Sequence, residues 1–204
     1  EILIGLVGSE MCIRDSAKTI CKRYKGNQAH AEYLEQMAGK FFDLLQKYHG
    51  LGERERLLLR LAAILHDCGK FISMSAPGEC AYQIIMSTEI LGISHMEREM
   101  VACIVRYNTM ELPNFREFDG KLGNDEYLIV MKLAAILRVC NALDRSHRQK
   151  FADMKLTIKD SNIVITTAYP DNITLEKKTL KDKQDFFEEV YGLGFEIKQK
   201  KKKQ

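Results

Sequence analysis

A chain of 204 residues, 46% hydrophobic and 29% charged, has room for one well-filled core and the make-up of a globular protein. No apolar run approaches the length of a membrane-spanning helix, and the net charge of +3, set beside a closing KQKKKKQ, leaves a nearly neutral body that does not call for a nucleic-acid partner. The six cysteines are dispersed with no C-x-x-C pair, which argues against a disulfide scaffold and for reduced thiols in a cytoplasmic protein.

The first stretch, EILIGLVGSEMCIRDS, lacks the basic start and the long apolar centre of a signal peptide. Within it, LVGSEMCIRDS (6–16) resembles the translation of a transposon-type sequencing adapter. Residues 1–16 are therefore expected to be non-native, with the biological sequence beginning near Ala17 and truncated upstream.

From there the periodicity predicts a short basic helix over 17–25, closed by Gly26. A second helix over 29–48 places Tyr33, Leu34, Met37, Phe41, Leu44 and Leu45 at three- and four-residue steps. Gly50-Leu51-Gly52 breaks it. The stretch LLLRLAAILHDCGK (57–70) is apolar almost all round, as a helix at the centre of a bundle must be, with Glu53 and Glu55 in its first turn and Gly69 as its stop. A loop containing Pro77 leads to helices over 81–91 and 95–107, the second opened by a Ser94/Glu97 capping box. Residues 110–124, with Pro113, Gly120 and Gly123, read as a functional loop, and 125–143 as a second very apolar helix ending at Asp144.

After Gln149 the pattern alternates. Residues 154–159 and 162–167 flank Asp160-Ser161 as a hairpin, NITLEK (172–177) reads as a third strand, 181–191 as a helix and 194–198 as a fourth short strand. The expected architecture is mainly α: a helical domain over 17–150, a small α/β domain over 151–198 and a basic tail over 199–204.

Chemistry concentrates where the apolar helices stop. His66 and Asp67 sit at the inner end of the central helix, where they are costly unless paired, hydrogen-bonded or bound to a cation. Asp144 ends the other apolar helix, and His30 lies near the start of the 29–48 helix. Two readings stand side by side. In one, each residue caps a local backbone group. In the other, His30, His66, Asp67 and Asp144 converge on one divalent cation, Mg, Mn or Fe, that polarises a phosphoryl group while Lys70 neutralises the leaving phosphate. Arg138, alone on an apolar helix, is expected to meet an internal carboxylate, and His49 and His95 to be surface or capping residues.

The order H, HD, then a distant D resembles the HD superfamily of metal-dependent phosphohydrolases. A closer resemblance spans nearly all of 17–204. HDCGKFIS (66–73), GECAYQIIMSTEILGISHMERE (78–99), IVRYN (104–108) and LAAILRVCNALDRSHRQK (133–150) are similar to the C-terminal region of the Ppx/GppA family of exopolyphosphatases and guanosine pentaphosphate phosphohydrolases. The resemblance implies an HD-type helical bundle followed by a small α/β appendage. It also implies two catalytic actin-like domains missing from this sequence, which has no Gly-rich phosphate loop, and a homodimer at full length. On that basis Arg145, His147, Arg148 and Lys150, the densest internal basic cluster, would bind polyphosphate or guanosine pentaphosphate, with Arg106 and Arg138 as weaker contacts. Cys80 stands where many relatives carry His, as a core or half-buried thiol with a lesser option as a metal ligand. The intact H-HD-D set also fits an autonomous metal-dependent phosphohydrolase acting on a nucleotide or phosphate ester.

Overall fold

From Leu57 onward the central helix keeps Arg60 as its one polar residue, because its neighbours enclose the rest. In the computed structural model, which describes residues 2–118 and 122–200 with side chains from residue 10 onward, α4 (Glu53–Leu65) is enclosed by α1 (Ile2–Arg23), α2 (Gln28–Leu44), α6 (His95–Thr109) and α7 (Asn124–Leu143). Leu57, Leu58, Leu59 and every residue from Leu61 to Leu65 are buried. Glu55 accepts the Gly52 N–H at 2.7 Å and caps its start. A short α3 (Gln46–His49) separates α2 from α4, and α5 (Pro77–Met86) packs chiefly on α6. Gly120 and residues 201–204 of the expected basic tail lie outside the described residues, as does Glu1.

Several expectations hold in detail. Ser94 and Glu97 form the capping box of α6, and Arg54 binds Glu97 as well, so that hydrogen bonding pulls the Glu97 carboxyl down to about 2. β1 (Lys155–Lys159) and β2 (Asn162–Thr167) pair antiparallel through Asp160 and Ser161, both at positive φ, the two-residue turn whose twist suits a hairpin.

Other expectations are corrected. NITLEK is no strand: α8 (Thr174–Tyr191) begins inside it, because Ile173, Glu176 and Leu180 are buried at helical steps, not alternate ones. The sheet therefore has three strands among the described residues, with β3 (Gly194–Gln199) parallel to β2 after the α8 crossover. The helix expected over 17–25 is the end of a longer α1 in which Ile13 is already core and Arg14 binds Glu35. Gly69 does not end a helix. It lies in a 3-10 turn, Cys68–Phe71, where a Cβ would stand 1.9 Å from the Pro77 carbonyl oxygen, so its lack of a side chain lets α5 approach. Among the described residues Arg138 forms no ion pair with a carboxylate; its guanidinium donates to the Tyr107 carbonyl at 2.6 Å and to that of Met110, closing the end of α6, and stacks on Phe186. His49 is buried, yet it does cap: its Nε2–H donates to the Phe42 carbonyl and its Nδ1 accepts from Leu51 N–H.

Helices and sheet share one apolar core. Phe195 of β3 lies 4.7 Å from Phe187 of α8 and 6.5 Å from Phe41 of α2, ring centre to ring centre. That packing holds the segment between α7 and β1 against the helix ends. No helix among the described residues is long and apolar enough to cross a membrane.

Candidate functional site

Three helix termini meet at one place. Asn27 caps α2 by accepting the His30 N–H at 3.1 Å, which sets His30 on the first turn. His66 and Asp67 follow the last residue of α4, and Asp144 follows the last residue of α7. The structure thus brings together His30, His66, Asp67 and Asp144. The His30 and His66 rings meet edge to face, 5.0 Å between centres, and Lys70 reaches back one turn to put Nζ 2.7 Å from Asp67 Oδ1.

The hydrogen bonds fix the tautomers. His66 Nδ1 lies 2.8 Å from the Ala63 carbonyl, which can only accept, so Nδ1 carries the proton. His30 Nδ1 likewise donates to Asp144 Oδ2 at 2.7 Å. Each ring then presents a bare Nε2 lone pair in a buried position, and neither Nε2 has a hydrogen-bond partner among the described residues. Asp67 Oδ1 stands 3.1 Å from His66 Nε2. That contact would be an ion pair only with His66 protonated, and burial drives the His66 imidazole down from 6.5 to about 4. At neutral pH it is therefore a lone pair facing a carboxylate. Burial pushes the Asp67 carboxyl up, and the charge of His66 together with the hydrogen bond and charge of Lys70 brings it below the usual range. Two acceptors face to face with a third bare nitrogen nearby form a place that favours a cation.

The basic cluster divides. Arg145 and Arg148 are exposed. His147 stacks on His30, ring centres 3.7 Å apart at 13°, and offers a ligand atom within 4.8 Å of those of His30 and Asp67. Lys150 turns the other way. It is buried, with Nζ bonded to Glu176 at 3.0 Å and to the Asn172 carbonyl at 2.9 Å, so it fastens α8 to the helical layer and does not face the site. Arg106 pairs with Glu79 and stacks on Tyr82 and Tyr107. Cys80 is half-buried in a shallow groove with Tyr24, Ile72 and Ile84, outside the His/Asp cluster.

Sequence reasoning missed three residues. Asn27 was legible as a cap before the 29–48 helix. Gln149, whose N–H binds Asp144 Oδ1 at 2.8 Å, and Glu176, which binds Ser146 and Lys150, carried no signal because their partners are set only by the folded turn.

Residues 13–185 match the sequence model of Ppx/GppA phosphatase, domain III. Over 145 residues the chain is 28% identical to a guanosine-5'-triphosphate,3'-diphosphate pyrophosphatase of Aeromonas hydrophila. The aligned part is 68% of this chain and 28% of that protein, so the chain spans little more than a quarter of the length of this curated relative.

Proposed function

The chain belongs to the Ppx/GppA phosphatase family, and from that premise we propose that it is the C-terminal part of a phosphoanhydride hydrolase of this family. In this reading the helical domain (17–150) and its α/β appendage (151–198) bind an inorganic polyphosphate or guanosine pentaphosphate chain for catalytic actin-like domains carried elsewhere in a homodimeric, cytoplasmic protein. The observation that carries it is a run of basic residues next to buried acceptors: exposed Arg145 and Arg148 flank His147 in sequence, His147 joins the His30/Asp67 cluster, and Lys70 lies beside Asp67. Guanidinium groups match phosphate oxygens in pairs, and Lys70 offers a point charge. The test is binding of labelled polyphosphate at rising salt. Arg148→Ala should weaken it about tenfold and make it less salt-sensitive. Binding equal to wild type at every salt concentration would sink the reading.

A second reading is favoured by the bare Nε2 atoms of His30 and His66. Here His30, His66 and Asp67 hold a divalent ion, with Asp144 bonded behind His30. Two imidazoles beside a carboxylate suit manganese or iron better than magnesium, which prefers oxygen ligands. When bound, such an ion supplies Lewis-acid polarisation of a phosphoryl oxygen. The chain's own residues do the rest: Asp144 holds the His30 tautomer, Lys70 neutralises charge on the departing phosphate, and the apolar helix ends exclude water. Metal content of the purified chain beside Asp67→Ala tests it. Stoichiometric metal lost in the variant, with phosphohydrolase turnover lost alongside, supports an autonomous enzyme, and its absence from both leaves the phosphate-binding role alone.

A further inference from the structure

His147 was expected among phosphate contacts, and Asp144 among the metal ligands. Their geometry points to an exchange of roles. Resting on the reading of the cluster as a metal centre, we infer that His147 ligates the divalent ion together with His30, His66 and Asp67, and that Asp144 is the positioning residue that aims His30.

Both oxygens of Asp144 are already engaged. The side chain has no exposed surface; Oδ2 accepts from His30 Nδ1 at 2.7 Å and Oδ1 from the Gln149 N–H at 2.8 Å. A carboxylate bonded to the far nitrogen of an imidazole fixes its tautomer and raises its basicity toward an ion at the near nitrogen. The ligand atoms within 4.8 Å of one another belong to His30, Asp67 and His147; His66 lies outside that trio and joins it through Asp67, whose Oδ1 is 3.1 Å from its unpartnered Nε2. His147 completes what Asp144, bonded elsewhere, does not.

The turn carrying His147 is held for this placement. His147 and Gln149 both have left-handed backbones, at φ 54° and 52°, conformations that persist where surrounding bonds over-determine them. The His147 N–H donates to the Asp144 carbonyl at 2.9 Å. Gln149 reaches the Ala29 carbonyl at 3.3 Å, and Ser146 and Lys150 both bind the buried Glu176. The ring itself is freer, for the residue is exposed and, among the described residues, its one side-chain hydrogen-bond contact is Asn27 Nδ2 at 3.5 Å. Stacked parallel rings do not aim their lone pairs at one point, so ion capture turns the His147 ring out of the stack, a motion the broad χ2 well of histidine permits.

The test strips the full chain with chelator and titrates it with Co²⁺, following heat and the visible absorption spectrum. Wild type should bind one ion. His147→Ala should lose more than about 100-fold in affinity and change the spectrum, because a nitrogen ligand is gone. Asp144→Asn should lose about 10- to 100-fold yet keep the wild-type band positions, because the ligand set is unchanged. Thermal melts in chelator confirm that each variant is folded. His147→Ala with wild-type affinity and spectrum overturns the proposal alone, leaving the metal reading standing. A shifted spectrum in folded Asp144→Asn also overturns it. Failure of wild type to bind Co²⁺ overturns the proposal and the metal reading together.

Discussion

The turn that follows α7 serves two buried polar clusters. On one side Glu176 accepts from Ser146 and Lys150, Lys150 also reaches the Asn172 carbonyl, and the Thr167 hydroxyl donates to the Lys150 carbonyl. Burial pushes the Glu176 carboxyl up, but those hydrogen bonds outweigh it and keep it ionised. On the other side His30, His66 and Asp67 leave two imidazole nitrogens bare and set a carboxylate against one of them. A satisfied buried network specifies structure; an unsatisfied one calls for an explanation, and a ligand from outside the chain is one. The first cluster fastens the appendage to the helices. The second is where a ligand is wanted.

Removing a partner from the satisfied side should have the largest effect. Glu176→Ala strands the buried Lys150 ammonium and should cost about 3–5 kcal/mol in unfolding free energy. Urea denaturation of both chains measures it, and a loss below 1 kcal/mol would break the contrast.

On the unsatisfied side the metal-free chain should show its strain as a pH dependence. The folded His66 imidazole is lowered from 6.5 to about 4, so between those values the unfolded chain binds the extra proton. Stability is full above about pH 6.5 and falls as the pH drops toward 4, by about 3 kcal/mol in all. Melts in chelator across that window check it, and His66→Gln should flatten the slope.

The smallest effect is expected at Asp67. Asp67→Asn replaces the facing carboxylate by an amide whose N–H can donate to His66 Nε2, at the cost of the Lys70 ion pair. Its metal-free stability should change by no more than about 1 kcal/mol, in either direction, where an ordinary buried aspartate would cost more. Differential scanning calorimetry in chelator decides, and a loss above 3 kcal/mol would place Asp67 in the structural class with Glu176.

The sequence by itself determined the helices whose apolar residues recur every three or four positions, the Ser94/Glu97 cap, the Asp160-Ser161 hairpin and the helix ends where His66, Asp67 and Asp144 stand. These follow from local rules that act within a few residues. Its misreadings are local patterns overruled from a distance. Ile173 to Lys177 alternates like a strand, but Glu176 is drawn inward by Ser146 and Lys150, and a helix results. Gly69 looks like a stop, but the approach of α5 is what requires it. Arg138 looks like half of an ion pair, but its guanidinium is taken by the carbonyls that end α6. Only the tertiary structure decided which residues of RSHRQK face the site, because that depends on which side of a turn packs against α8. It decided, too, that Asp144 points at His30 and that two imidazole nitrogens are left bare. Where a lone pair points is set by three helix ends meeting, and no single stretch of chain contains that information.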